Sequence, residues 1–305
     1  MEAMSLTKRN WLLGALAVFL LLAGLLGIAF WSQPGSLNFE SVFGRTVLKE
    51  RLVGQMRTSL FASAEAEKSA VLAETDNASL EYAGQARAQA DRVAAALVEF
   101  KKLARGGEET GLVQQFEEAF AEYRKVDEEV LALAVLNTNL KSKALSHGQA
   151  LAAVTHLEEA LAPFLSDAKA AKGKPGKAGD TAALALRVLV ETLRIQALHG
   201  PHIEEVSDAG MDEMEKRMNQ ADKQARSALA ALASQAGQAA LAPALAAYEE
   251  HHTVTLEVLR LSRLNTNVRS LALSLGRKVK VLAVCDESLQ ALENLIHANM
   301  AKATR

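Results

Sequence analysis

Residues Glu129 to Gly148 read EVLALAVLNTNLKSKALSHG, and residues Glu257 to Gly276 read EVLRLSRLNTNVRSLALSLG. Thirteen of the 20 positions are identical at a constant interval of 128 residues, so the chain carries an internal duplication. In the second copy Leu261, Leu264, Val268, Leu271 and Leu275 recur at the 3,4 spacing of one helix face, which is expected to look toward a bundle axis. The first copy keeps Leu133, Leu136 and Leu140 but then places Lys143 and His147. Beside the leucines runs a second stripe, Asn267, Ser270 and Ser274, matched by Asn139, Ser142 and Ser146. Its spacing puts these polar groups on one face, at least partly buried, where amides and hydroxyls need partners.

The text around the two copies is helix material, dominated by Ala, Leu, Glu, Lys, Arg and Gln, with 50% hydrophobic but only 5% aromatic residues. Breakers cut it into four segments. The first runs from about Asn38 to Ala104 and stops at Arg105-Gly106-Gly107; the second runs from about Glu108 to Ala170. A solvated linker, 171–180, carries Lys172, Lys174, Pro175 and Lys177. The third segment follows Asp180 and Thr181 to about Gln235, and Gly237 and Pro243 mark the last turn before a fourth that nearly reaches Arg305. Helices of this length, on the order of 80 to 90 Å, bury their faces only against one another. A weaker echo pairs Ala88-Gln89-Ala90-Asp91 with Asn219-Gln220-Ala221-Asp222. The expected fold is therefore all-α: a long antiparallel four-helix bundle made of two repeated hairpins, about 38–170 and about 181–305. Its first and third helices are equivalent, as are its second and fourth.

Ahead of the bundle stands WLLGALAVFLLLAGLLGIAFW, residues 11–31, an uncharged apolar run bracketed by the chain's two tryptophans. About 20 helical residues span a bilayer, and interfacial rings sit at the headgroup level, so this reads as a transmembrane helix. Lys8 and Arg9 precede the run and no basic residue follows before Arg45, which places residues 1–10 in the cytoplasm and the bundle in the periplasm. A cleaved signal peptide, with Gly27 and Ala29 before the cut, is the competing reading. Residues 32–37, with Pro34 and Gly35, are expected to form a linker.

Counting back from the turns brings the second polar stripe level with Ser207 and Asp208, and the first level with Ser79, near Asp76 and Asn77. Three readings fit such a layer: a hydrogen-bonded layer that fixes register, a small-molecule pocket between helices, or an exposed stripe for a partner helix. The candidate ligand-binding residues are Asn139, Ser142, Asn267, Ser270, Asp76 and Asp208. His199-Gly200-Pro201-His202-Ile203-Glu204-Glu205 could hold a metal if the helix continued, but Gly-Pro argues for a kink, so no metal site and no cofactor are expected. His147, His251 and His252 read as surface or flank residues, and Cys285 as a small core residue. With 34 basic against 36 acidic residues there is no footprint for nucleic acid. No catalytic triad, phosphate-cradling loop or carboxylate pair is present in the pattern, so no enzyme is expected.

An N-terminal anchor, a helical bundle and the block Leu-Asn-Thr-Asn-x-x-Ser-x-Ala-Leu-Ser resemble the four-helix-bundle sensory modules of methyl-accepting chemotaxis proteins. The similarity covers roughly residues 8 to 305. It implies a signal-transduction module at the inner membrane that binds a small ligand or a partner receptor, usually as a homodimer. The sequence departs from full-length receptors in having no second transmembrane run, HAMP linker or methylation hairpin, and so looks like a sensor half that signals through a partner protein. Helical bimodular sensors are a related architecture, for which Pro163 and Pro201 could mark the breaks. A structural or scaffold bundle of the cell envelope, without a small-molecule ligand, is the alternative.

Overall fold

The computed structural model describes residues 34–170 and 177–303, all of it helix, turn and bend without strands. The expected anchor at 11–31, its flank at 1–10 and most of the 171–180 linker lie outside the described residues. Among the described residues no helix is long and apolar enough to cross a membrane. The helices are α1 (Pro34–Leu72), α2 (Asp76–Leu103), α3 (Gly107–Ala134), α4 (Thr138–Leu145), α5 (Leu151–Ala170), α6 (Lys177–Glu204), α7 (Asp208–Ala236), α8 (Gln238–Leu264), α9 (Thr266–Leu273) and α10 (Val279–Ala303). Short π-helical turns, Ser146–Ala150 and Ser274–Lys278, join α4 to α5 and α9 to α10.

The expected breaks at Gly106 and Gly237 are there, both glycines with positive φ, the conformation for which a side chain is a handicap. Two further reversals correct the four-helix reading. Ser63 Oγ donates to the Ala86 carbonyl at 3.0 Å and Ser79 Oγ to the Ala70 carbonyl at 3.0 Å, pairings that require α1 and α2 to run antiparallel around residues 73–75. Likewise Arg187 reaches Gln224 and His202 reaches Glu215, so α6 and α7 reverse around 205–207. Each reversal is capped locally: Thr75 Oγ1 accepts from the Ala78 amide and Ser207 Oγ from the Gly210 amide. Only 107–170 and 238–303 remain as long runs, each kinked once, at Asn137 and Asn265. Lys177–Asp180, read as linker, already belong to α6, and Pro34 opens α1, where its missing amide costs nothing.

The chain divides into two compact units. Among the described residues the smaller is formed by 34–59, Arg92–Glu118 and 285–303. It buries Leu52, Met56, Val93, Phe100, Phe116, Cys285 and Leu289 and is tied by ion pairs from Lys49 to Glu109 and from Arg57 to Asp286 and Glu293. The larger comprises Leu60–Asp91 and Ala119–Val284. Within it, four helices pack on each side of a crossing. On one side Ala70, Ala83, Ala86 and Leu131, with Val71, Val126 and Val130, fill the space between α1, α2, α3 and the start of α10. On the other Leu157, Leu161, Val188, Leu189, Ala225, Leu229, Leu232, Leu241 and Tyr248 fill the space between α5, α6, α7 and α8.

The orientation of the duplicated helices is a second correction. The side chains that face the core are Thr138, Ser142 and Ser146 in one copy and Ser262, Thr266, Ser270, Ser274 and Lys278 in the other, all within a few per cent of full burial. Most of the leucine seam turns outward, with Leu264 43%, Leu271 37% and Leu275 62% exposed, Val268 half-buried and only Leu261 at its start in the core. Small residues repeated every fourth position let two helices approach closely, whereas leucines there would hold them apart.

Candidate functional site

The two Asn-Thr-Asn blocks meet directly. Asn137 and Asn265 adopt left-handed backbone conformations, φ 49° and 50°, which end one helix and start the next. Such a break leaves the first amides of α4 and α9 without intrahelical acceptors. Neither kink residue caps its own helix through its side chain. The opposite copy does so: the Thr138 amide donates to Thr266 Oγ1 and the Thr266 amide to Thr138 Oγ1, both at 3.2 Å. The Asn139 amide donates to Asn267 Oδ1 at 3.2 Å and the Asn267 amide to Asn139 Oδ1 at 3.3 Å. Asn139 Nδ2 reaches Asn265 Oδ1 at 2.8 Å, and Asn267 Nδ2 reaches Asn137 Oδ1 at 3.0 Å. The duplicated helices therefore cross antiparallel about a local two-fold at Thr138 and Thr266, whereas the repeat in an antiparallel bundle implies parallel helices on diagonal corners.

The reversals close on this crossing. Asn139 Nδ2 also donates to the Ile203 carbonyl at 2.7 Å, Asn265 Nδ2 to the Glu205 carbonyl at 2.8 Å, and Asn137 Nδ2 to Asp76 Oδ1 at 3.0 Å. The Asn137 amide, together with Lys141, holds the Asp76 carboxyl below its usual range. Of the six candidate residues the structure thus gathers Asn139, Asn267 and Asp76. Ser142 lies a turn away and donates to the Val258 carbonyl at 2.8 Å, Ser270 bonds back to Asn267 within its own helix, and Asp208 is exposed, 3.9 Å from Arg263. The kink residues Asn137 and Asn265 and the two threonines complete the crossing, and their role is not legible in the sequence because it depends on the opposite copy.

Away from the crossing, each side buries a polar cluster at equivalent positions. On the first side Glu67, Asp127 and Lys278 are 0, 4 and 1% exposed. The Lys278 ammonium contacts Asp127, lies 3.7 Å from Glu67 Oε2, and sits 4.0 Å over the Tyr123 ring. Neither Glu67 oxygen has a regular hydrogen bond, and the Ser274 hydroxyl approaches without closing one. Burial drives the Glu67 and Asp127 carboxyls upward against the pull of Lys278. On the second side the duplication puts His251 at the position of Tyr123, Thr255 at that of Asp127, Ser146 at that of Ser274 and Ala150 at that of Lys278. His199 stands at the position of Glu67, at the same interval that separates Thr75 from Ser207.

That second cluster is neutral. His199 Nδ1 lies 3.1 Å from Ser146 Oγ and Nε2 3.2 Å from Thr255 Oγ1, while His251 Nε2 lies 3.2 Å from Gln196 Oε1. The two rings stack with centroids 5.9 Å apart and 9° between planes. Burial lowers both imidazoles to about 4. His251, read as a flank residue, is a core residue, because its helix turns that face inward. His202 bridges Ser262 at 2.8 Å and Glu215 at 3.0 Å, and Glu205 turns back to Ser207. His199, His202 and Glu205 therefore do not converge on one point.

An open groove of about 390 Å³ lies between α6 and α7, lined by Glu191, Arg194, Leu198, Arg217, Gln220 and Gln224. Glu191 is buried and held by Arg194 at 2.8 Å, so both signs of charge face this groove.

A family model described as a four helix bundle sensory module for signal transduction matches residues 7–172. No curated protein and no solved structure matches the chain. The matched stretch covers more than half of the sequence and includes the first Asn-Thr-Asn copy, so the chain belongs to the family of four-helix-bundle sensory modules for signal transduction.

Proposed function

We propose that the chain is a membrane-anchored periplasmic sensory module, with residues 11–31 as its anchor and 1–10 cytoplasmic, that binds a small polar ligand between α6 and α7. The groove carries this reading. It has the volume of a small-molecule site and presents Arg194, Arg217, Glu191 and two glutamines to one occupant. The polar layer at the crossing, with Asn139, Asn267 and Asp76, serves helix register instead, since the crossing amides already spend their hydrogen bonds on one another, and Ser142, Ser270 and Asp208 lie apart from it.

The module works as a homodimer through α6. Ala183, Leu186, Val190, Leu193 and Ala197 recur at 3,4 spacing, the pattern of a two-helix seam, and Leu186 and Leu193 are 55 and 49% exposed. The equivalent positions of the first hairpin carry Arg51, Gly54, Thr58, Phe61 and Glu65, so the fold itself does not require apolar residues there.

The test is a thermal-shift screen of the full chain in detergent with small amino and carboxylic acids, in wild type and Arg217→Ala. A ligand at 100 times its Kd stabilises by about 2.7 kcal/mol, and the variant should lose that shift. A ligand shift unchanged in Arg217→Ala moves the site elsewhere. A reporter fused at Arg305 should be active only outside the cytoplasm; cytoplasmic activity overturns the topology.

A further inference from the structure

The two buried clusters occupy equivalent positions on the same pair of duplicated helices, yet their chemistry responds to protons in opposite senses. In the histidine cluster the groups facing the rings are uncharged: Ser146 from the π-helical turn, Thr255 and Gln196 from α8 and α6. The nearest charged groups are engaged elsewhere. Asp222 on α7 takes Tyr248, Arg226 and His252, while Glu215 takes Arg263 and His202. A proton arriving on His199 or His251 thus meets Ser146, Thr255 and Gln196 as hydrogen-bond partners and no carboxylate among them. In the carboxylate cluster Glu67 from α1 and Asp127 from α3 share the single ammonium of Lys278, with Lys68, Arg124 and Glu128 as the other charged neighbours. Two buried carboxylates against one ammonium leave one negative charge over, which a bound proton removes.

We propose that these clusters make the module proton-responsive: acidification loosens the helices around His199 and His251 while the helices around Glu67, Asp127 and Lys278 stay held. This rests on the sensory reading and names protons as a stimulus of the module. The sign follows from linkage. Imidazoles held near 4 in the folded state and near 6.5 when released contribute stability above about pH 6.5 that is lost as pH falls toward 4. Raised carboxyls do the reverse: their contribution is complete below the ordinary carboxyl range and is lost as pH rises through their folded values. At pH 5 each such histidine favours the opened state by about twentyfold relative to neutral pH.

Histidine ring NMR and hydrogen exchange on the full chain in micelles test this between pH 7.5 and 4.5, with exchange corrected for its chemical rate. His199 and His251 should titrate more than one unit below the ordinary imidazole value of 6.5. Protection in segments 185–203 and 244–258 should fall at least tenfold by pH 5, while 60–71 and 119–131 keep theirs. His199→Gln with His251→Phe should abolish the difference; should that pair not fold, the wild-type titration decides. Rings that titrate near 6.5, or protection lost equally in both clusters, overturn the proton response. Either result leaves the ligand-shift and reporter tests of the sensory reading untouched.

Discussion

Asn139→Ala separates the crossing as a structural lock from the crossing as ornament. The substitution removes one acceptor and one two-proton donor, and it strands three groups: the Asn267 amide, the Asn265 side-chain oxygen and the Ile203 carbonyl. Asn265 and Asn139 are 6 and 7% exposed, so water reaches the gap poorly. At about 1 to 3 kcal/mol for each stranded group, and allowing one water to fill the vacated volume, the loss is roughly 3 to 5 kcal/mol. Asn267→Ala strands only the Asn139 amide and the Asn137 oxygen, at a position with more solvent, and should cost roughly 1 to 2 kcal/mol. The two residues are equivalent in the repeat, so an unequal pair of losses reflects the Ile203 carbonyl, which the end of α6 supplies to Asn139 alone, together with the deeper burial of Asn139. Asn139→Leu should not rescue, because two of the three stranded partners are main-chain groups that leucine cannot satisfy. Urea titrations followed by far-UV circular dichroism on the full chain in micelles give the two losses. Equal losses, or a loss below about 1 kcal/mol for Asn139→Ala, would refute the reasoning.

Substitutions at three further places probe the rest of the larger unit. Lys278→Met leaves Glu67 and Asp127 without their cation and should cost about 3 to 5 kcal/mol at pH 7.5, a loss that shrinks toward pH 5 as the raised carboxyls take protons; equal losses at both pH values contradict the buried-charge argument. Asn265→Gly keeps the left-handed kink but loses its side-chain bonds, whereas Asn265→Val adds about 1 to 2 kcal/mol of backbone strain to the same loss, so valine should melt lower than glycine in a thermal scan. Leu271→Lys with Leu275→His transplants the first copy's Lys143 and His147 onto an outward face, and urea midpoints should move by no more than about 0.5 kcal/mol per site.

Much of the fold was legible in residue order alone. Helix-forming composition, the turns at Gly106 and Gly237 and the duplicated block follow from local propensity and from comparing the chain with itself. The polar stripe reads as at least partly buried from its spacing, and the structure buries Asn139, Ser142, Ser146, Ser270 and Ser274. The reversals capped by Thr75 and Ser207 were not legible in the same way. Both segments continue as good helix formers on either side, so the reversals passed as polar groups along a longer helix.

The sequence by itself determined that two copies of Leu-Asn-Thr-Asn sit on equivalent helices with serines at fixed offsets. Only the tertiary structure decided that those helices cross antiparallel, because a repeat fixes equivalence and says nothing about the axis that relates its copies. That axis turns the serines inward and the leucines out, and it makes each Asn-Thr-Asn the cap of the other. It also places Glu67, Asp127 and Lys278, far apart along the chain, in one cluster, and their counterparts His199, Thr255 and Ala150 in another. Charge at such distances in sequence is invisible to periodicity. It acquires meaning only when burial removes the water that would otherwise screen it.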